Sequence, residues 1–298
     1  MGEITLRKAL DDYKTVYMPY RNFAERTREE YLNDLEDLVE FLEKSGINHV
    51  REVGVPIIER NVAHLEQEGF ASLTRKRKVV AIRSFLSFLY REGYIDANIA
   101  KSIVLPFTES NTPYFLTQTE SALIRNACAD NPRDSAIIEL FLQTGIKLSE
   151  LIHLTLNDTE IGGTEETEKK NAGFIRILGG RGKKERVIPL NTKACLALKN
   201  YLDIRKDARS NVLFLNRFDE PLGERGVQKI LRKYLKKTGL ARASVRSLRH
   251  TFGIHHAVKG TSAKTIQEVM GHKDPRSTSI YFYIAQKMIR RELEDHAL

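Results

Sequence analysis

The chain has 298 residues, of which 41% are hydrophobic and 29% charged, and this length suggests two domains of about 100–200 residues each. Forty-eight Lys and Arg against 39 Asp and Glu give a formal net charge of +9, which favours polyanionic partners such as nucleic acid. No apolar run predicts a membrane span, and the start, MGEITLRKAL, lacks the apolar core of a signal peptide. The only cysteines, Cys128 and Cys195, exclude a disulfide framework and a cysteine zinc site, so we expect a cytoplasmic protein.

The first hundred residues show the apolar periodicity of α-helices. One helix is predicted over 26–44, where Leu and Val recur at helical spacing before Gly46 ends the pattern. A second is predicted over 74–90, with Thr74 as its N-cap. The amino end of this second helix is strongly basic and has no acidic residue before Glu92, which favours contact with a DNA backbone over an ordinary solvated face. The basic residues concerned are Arg75, Lys76, Arg77, Lys78 and Arg83.

A linker follows the helical region. The segment VLPFTESNTPYFL contains two prolines and little periodicity, which is typical of a connection between domains. We therefore predict a helical core DNA-binding domain over 1–104, a linker over 105–116 and a second domain over 117–298.

The second domain mixes helices with one hairpin. FIRIL (174–178) and ERVIPL (185–190) are predicted strands, and the intervening GGRGKK predicts that they form a β-hairpin. The polar segment before them, 157–173, predicts a flexible surface insertion. Helices are predicted over 118–129, 135–143, 148–154, a stretch after Asn191, 226–237 and 245–258.

A second basic surface is predicted in this domain. From Arg225 to His250 the chain carries nine Lys and Arg and no acidic residue, a density higher than a solvated helix face needs. The residues predicted to contact DNA here are Lys229, Arg232 and Lys233. Basic surfaces on two domains predict a clamp around duplex DNA, with salt-sensitive binding because each neutralised phosphate releases counterions.

Four motifs in the second domain carry a resemblance to a known family. They are TGIKLSELIHL (144–154), ILGGRGKKERVIPL (177–190), LRHTFGIHH (248–256) and MGHKDPRSTSIYFY (270–283). In this order and with these separations they resemble the tyrosine recombinase, or phage integrase, family, in the style of its Xer-type members. The resemblance covers the whole chain. It implies a mainly α fold with a small β-sheet, in which a helical, SAM-like core-binding domain precedes an α+β catalytic domain.

The resemblance implies site-specific DNA recombination. In this chemistry a tyrosine attacks the scissile phosphate and forms a 3′-phosphotyrosyl link, which the 5′-hydroxyl of a partner strand then attacks. One phosphodiester replaces another, so no cofactor and no metal are expected, and the sequence contains neither a Walker-type loop nor clustered carboxylates for magnesium.

The implied partners are double-stranded DNA with paired inverted-repeat arms and further copies of the same chain, as a homotetramer on two duplexes. No membrane partner is expected, and no accessory protein is identified. The C-terminal helix, predicted over 285–298, docks either on a neighbouring subunit, as the resemblance implies, or on its own domain.

Several site residues match the family motifs. Tyr281, nine residues after His272, matches the nucleophile, and Tyr283 is the second candidate. On a helix these two tyrosines differ by about 200° around the axis, so only one can face a phosphate. Arg249 matches an arginine that binds the phosphate bidentately. His272 matches the family's His/Trp position beside the phosphate, and Glu150 is expected to form an ion pair inside the domain.

Three positions depart from the family pattern. Lys147 stands where the family has its first arginine, so the charge is kept but the planar fork that grips two oxygens is lost. Arg181 stands at the hairpin lysine that protonates the leaving oxygen, and Lys183 is the alternative, since residues two apart in a strand share a face. Arg246 replaces a histidine.

These departures leave alternatives open. Lys147 is either natural or an introduced Arg→Lys change that slows cleavage and traps a DNA complex. The chain could also be a topoisomerase IB-like or telomere-resolving relative with the same chemistry, or a catalytically weakened DNA-binding protein. Plasmid relaxation without recombined products would identify a topoisomerase-like or telomere-resolving relative. The absence of a covalent DNA adduct would identify a catalytically weakened DNA-binding protein.

Overall fold

The computed structural model describes residues 3–108, 112–161, 173–179, 185–205 and 210–295. The chain forms two compact units, Met1–Asn111 and Thr112–Leu298, and the division falls inside the predicted linker. Helices dominate both units, and a small sheet is found in the second, which confirms the predicted fold class. Within the described ranges, no helix combines the length and apolar character that crossing a bilayer requires.

The first unit is helical throughout its regular structure. Both predicted helices are present, although the second begins at Ser72 with Ala71 as its N-cap, so the prediction that Thr74 caps it is wrong. The apolar faces of these helices enclose one core around Leu35, Leu38, Phe85 and Phe88. In chain order the helices are α1 (Leu6–Asp12), continued by a π-helical segment (Tyr13–Tyr17), α2 (Met18–Tyr20), α3 (Glu25–Lys44), α4 (Val55–Gln67) and α5 (Ser72–Arg91).

The second unit is built around a long internal helix. Nine of the 13 residues of this helix, α7, are buried, because other helices of the unit pack around it. The helices before the sheet are α6 (Gln118–Cys128), α7 (Pro132–Thr144) and α8 (Leu148–Leu151). Those after it are α9 (Thr192–Ile204), α10 (Glu224–Lys237), α11 (Val245–Val258), α12 (Ala263–Met270) and α13 (Arg276–Asp295).

The sheet has three antiparallel strands in the order β1 (Thr159–Glu160), β2 (Phe174–Ile177) and β3 (Arg186–Pro189). The predicted pairing of the second and third strands is therefore confirmed. Strand β1 lies in the segment that we predicted to be an insertion, so that prediction is wrong for its first residues. The rest of the insertion, 162–172, and the hairpin residues 180–184 lie outside the described residues.

The C-terminal helix is longer than predicted. Helix α13 begins at Arg276 rather than at 285, so it contains the candidate nucleophile as well as the tail. Helix α12 was not predicted. Together with α11, these helices enclose a third apolar cluster that includes Phe252, Ile254, Met270 and Tyr281.

Candidate active site

Tyr281 is buried between α13 and α11. Its side chain is 2% exposed, and its ring lies directly against Gly253, where an added Cβ would come within 2.4 Å of the ring. Its hydroxyl lies 3.1 Å from Nδ1 of His250, one turn earlier on α11. Tyr283, by contrast, is 52% exposed and has Lys287 over its ring. Of the two candidate tyrosines, Tyr281 is therefore the one that packs against α11.

The surroundings of the Tyr281 hydroxyl are apolar and cationic. Burial raises its pKa, while the charges of Arg249 and Arg246 lower it in part. Burial and the same arginines lower the pKa of His250 to about 4, so its ring is neutral at pH 7. A phenol beside a neutral imidazole has an available acceptor for its proton.

Arg249 is the buried arginine of α11. Its guanidinium donates to the carbonyl of Gly145 and, at 2.7 Å, to that of Met270. Gly145 ends α7 in a left-handed conformation with φ of 59°, and a Cβ there would lie 2.6 Å from the Phe252 ring. Glycine is therefore needed at position 145, both for the backbone turn and for the approach of α11.

Lys147 precedes α8 and faces the same region. Its ammonium donates to the carbonyl of Gly271 at 3.1 Å and lies 3.6 Å from the Glu150 carboxylate. Glu150 also accepts from the backbone N–H of Lys147 at 2.9 Å and is paired with Arg186 of β3 at 2.8 Å. Burial raises the pKa of Glu150, but these bonds outweigh it and the pKa is lowered. The predicted ion pair of Glu150 is confirmed.

His272 lies between the end of α12 and the start of α13. Its Nδ1 is 2.8 Å from the hydroxyl of Thr278, in the first turn of α13. Its ring centroid is 5.9 Å from that of Tyr281. Burial, followed by the charges of Arg249 and Lys147, lowers the pKa of His272 to about 4. The neutral ring is thus oriented by the same helix that carries the tyrosine.

Not every predicted site residue can be located. Arg246 lies one turn before Arg249 on α11, is exposed, and is close enough for its charge to act on Tyr281. Arg181 and Lys183 lie outside the described residues. The remaining predicted site residues are gathered around α11 and the end of α12, and they are Lys147, Arg249, Arg246, His272 and Tyr281. Their chemical roles stay predictions.

The predicted DNA-binding residues of α5 differ in their surroundings. Lys78 is buried and pairs with Asp34 at 3.0 Å and Asp37 at 2.6 Å. Arg77 pairs with Asp34 as well. Both positive charges are therefore paired with carboxylates of the first unit, and Lys78 has a structural role.

The other three predicted DNA-binding residues of α5 are half-buried. Arg75 pairs with Glu66 at 2.8 Å, and Lys76 donates to Thr108 at 3.1 Å. Arg83 is half-buried, and among the described residues no ion pair is formed by its side chain. Arg83 therefore has the charge that is most available to a phosphate in this group.

The predicted residues of α10 are exposed. Lys229, Arg232 and Lys233 alternate with the buried face formed by Val227 and Leu231. In the described part of the chain none of these three cations forms an ion pair, and Lys233 lies over the ring of Tyr234, its neighbour in sequence. This solvent-facing charge fits a contact with phosphates, which remains a prediction.

Two family models match the chain. Residues 114–288 match the phage integrase family, and residues 10–93 match the phage integrase N-terminal SAM-like domain. The first match alone covers more than half of the chain. The predicted order of a SAM-like domain followed by a catalytic domain is therefore confirmed.

Known proteins similar to this chain are recombinases and integrases. Tyrosine recombinase XerC of Pelotomaculum thermopropionicum is 32% identical over 95% of both chains. XerH bound to palindromic difH shares the fold, with a TM-score of 0.74 and 19% identity over 95% of this chain and 83% of that one. A lambda integrase tetramer bound to a Holliday junction has a TM-score of 0.72 and 18% identity over 91% and 78%.

These similarities do not favour a topoisomerase-like relative or an inactive DNA-binding protein. The motifs, the two domain matches and the buried tyrosine beside a cluster of cations agree with one another. The chain belongs to the phage integrase family of tyrosine recombinases, and within that family it is similar to the Xer recombinases.

Proposed function

We propose that this recombinase cuts and rejoins DNA at a specific site through a covalent bond between Tyr281 and a 3′-phosphate. The observation that carries the proposal is the position of the phenol. Its hydroxyl is 3.1 Å from His250, its ring is 5.9 Å from that of His272, and buried Arg249 acts on it electrostatically. Phosphoryl transfer needs a placed nucleophile and positive charge around the equatorial oxygens.

The reaction proceeds by two in-line displacements. Tyr281 gives its proton to the neutral imidazole of His250, and its oxygen attacks the scissile phosphorus, while the bond to the 5′-oxygen breaks and that oxygen takes a proton from Arg181 or Lys183. The 5′-hydroxyl of a partner strand then returns a proton to that same Arg181 or Lys183 and attacks the phosphotyrosine, and the departing tyrosine oxygen takes its proton back from His250. The number of phosphodiester bonds is unchanged, so the exchange needs no external energy source.

Three cations supply charge to the phosphate in this scheme. Arg249 uses the guanidinium donors that are not bonded to the Gly145 and Met270 carbonyls. Lys147 exchanges its bond to Gly271 for one to a phosphate oxygen. Arg246, which is exposed beside them, adds a third positive charge and favours the ionised tyrosine.

The test is the formation of a covalent DNA adduct. Inverted repeats near the encoding gene supply candidate duplexes, and a nick beside the scissile phosphate traps the intermediate, because the short cleaved fragment diffuses away. We expect the wild-type chain to form an adduct that survives denaturation, Tyr281→Phe to form none, and Tyr283→Phe to form it normally. An adduct formed by Tyr281→Phe, or none formed by the wild type on duplexes that it binds, would refute the proposal.

The assembly that we propose is a tetramer holding two duplexes. The support within this chain is the exposed apolar side chains of the last turns of α13, Met288, Ile289 and Leu293. Truncation after Gln286 removes them, and we expect it to reduce assembly on paired sites, measured by light scattering, while single-site binding persists. Undiminished assembly would show that this helix does not join the subunits.

Contact with DNA is assigned to the exposed face of α10. Lys229→Ala with Arg232→Ala should weaken binding to all duplexes and reduce the salt slope of the binding constant by roughly two. The measurement is fluorescence anisotropy at several salt concentrations, with Lys44→Ala, an exposed lysine of the first unit, as the control. An unchanged slope would exclude α10 from the interface.

We also propose that the chain acts in a reducing compartment such as the cytoplasm. Cys128 and Cys195 are both free and buried, in keeping with a protein that does not depend on oxidising conditions. Localisation of a tagged chain tests this.

A further inference from the structure

The end of α12 is surrounded by cations from three other parts of the second unit. The carbonyl of Val269 accepts from Nε of Arg186 at 2.7 Å, that of Met270 from Arg249 at 2.7 Å, and that of Gly271 from Lys147 at 3.1 Å. The carboxyl end of a helix carries partial negative charge, so it attracts cations. Each of three successive backbone carbonyls thus accepts a hydrogen bond from a different cationic side chain.

Arg186 differs from the other two cations in how its donors are used. All three of its nitrogens donate to protein oxygens, Nε to Val269 and the other two to the carboxylate of Glu150 at 3.1 and 2.8 Å. Its side chain is 15% exposed and that of Glu150 is 10% exposed. Arg186 is therefore committed to the protein rather than to a phosphate.

The same guanidinium fits closely against the turn after α12. Gly271 has φ of 63°, and a Cβ at this position would come within 2.8 Å of the Arg186 guanidinium carbon. Arg186 thus fixes both the last turn of α12 and the carboxylate that caps α8, which are the two groups that contact Lys147.

We propose that Arg186 is a positioning residue that keeps the Lys147 ammonium available to the scissile phosphate. Glu150 has two cations within reach, Arg186 in a two-bond pair and Lys147 at 3.6 Å. While Arg186 satisfies the carboxylate, Lys147 bonds to Gly271. Without Arg186, the buried carboxylate takes the ammonium as its partner, because a buried charge must be paired, and the phosphate loses one cation. The inference rests on the proposed function of Tyr281.

A double-mutant cycle tests this coupling. Single-turnover adduct formation is measured for Arg186→Met, Lys147→Ala and the double variant on the nicked duplex. We expect Arg186→Met to slow cleavage by about 10–100-fold and the double variant to be no slower than Lys147→Ala, because both changes remove the same contribution. If the rate losses of the two single variants multiply in the double variant, the proposal is overturned.

A second substrate separates this role from a general loss of structure. A methylphosphonate at the scissile position has a methyl group in place of one non-bridging oxygen, so the linkage is uncharged and needs fewer cations. The loss of cleavage rate caused by Arg186→Met, relative to wild type, should therefore be several-fold smaller on this substrate. A distorted site would instead lose the same factor in rate on both substrates. An equal deficit on both substrates would overturn the proposal.

The controls come from the same sheet. Arg176 of β2 forms an exposed pair with Glu185 at 3.1 Å, so Arg176→Met should cleave within about twofold of wild type. Should Arg186→Met fail to fold, Arg186→Gln, which removes the charge but keeps a hydrogen-bond donor, takes its place in the same cycle. Wild-type adduct formation is recorded in parallel, so a failure of the tyrosine chemistry itself is recognised separately.

Discussion

The Tyr281 hydroxyl lies 3.1 Å from Nδ1 of His250, and the Tyr281 ring rests on Gly253 of the same helix. Helix α11 therefore supplies both the polar partner and the flat contact surface of the proposed nucleophile, in addition to Arg249. The position of the Tyr281 hydroxyl depends on how closely α13 can approach this helix.

Gly253→Ala should displace the nucleophile. The added methyl would lie 2.4 Å from the ring, so either the tyrosine or α13 must move, and in-line geometry is lost. We expect adduct formation to fall by about a hundredfold with little change in DNA affinity. Gly223→Ala, at a position with open space around it, is the control, and normal cleavage by Gly253→Ala would contradict the packing described.

Lys147→Arg should increase the cleavage rate. An arginine restores the planar fork that binds two phosphate oxygens, and we expect a gain of about tenfold or more in single-turnover adduct formation. A large gain would also support an introduced Arg→Lys change at this position. An unchanged rate would indicate that lysine, held beside Gly271, serves this site as well as arginine does.

The free energy of unfolding should decrease at acidic pH because of His272. Its folded pKa of about 4 lies below the ordinary 6.5, so the unfolded chain takes up the proton first. Its contribution to stability is complete above about pH 6.5 and is lost as the pH falls towards 4. His272→Gln should remove about 1–2 kcal/mol of this dependence, because the ring is only partly buried and solvent weakens the effect.

Urea titrations at pH 7, 5.5 and 4 measure this effect. His153, which is exposed, provides the control His153→Gln, and this variant should retain the wild-type pH dependence. Identical pH dependence in His272→Gln and wild type would rule out a buried neutral imidazole at position 272.

Lys78 and Arg83 should respond differently to substitution, although both lie on α5. Lys78→Met leaves buried Asp34 with one cation fewer and should lower the free energy of unfolding by about 3 kcal/mol. Arg83→Ala should leave stability nearly unchanged and weaken DNA binding. Urea titration and anisotropy measure both variants, and a Lys78→Met protein of normal stability with weakened binding would reverse these assignments.

Much of the fold could be predicted from local patterns. Apolar periodicity located α3, α5 and α11 closely, because long amphipathic helices repeat the same signal over several turns. Strand β1 was missed because two residues in a polar segment carry no such signal, and it exists only by pairing with β2. The start of α13 was placed too late since its first turn, RSTS, is polar.

The site could be predicted where motifs carried it, and less well elsewhere. The candidates Tyr281, Arg249 and His272 followed from the resemblance of their motifs to those of the family, and their roles stay predictions. The burial of Lys78 was not predictable, because its partners Asp34 and Asp37 lie on a different helix. Arg186 gave only a weak signal, a charged residue opening an otherwise apolar strand.

Helix α13 is one uninterrupted rod, and its sequence from Arg276 to Asp295 contains neither glycine nor proline. Twenty residues span about 30 Å, with Tyr281 in the second turn and the exposed Met288, Ile289 and Leu293 towards the far end. A stiff rod transmits rotation and sliding along its whole length. A partner that binds this end of α13 should therefore also shift the Tyr281 phenol, which would couple the proposed assembly to the proposed strand cleavage.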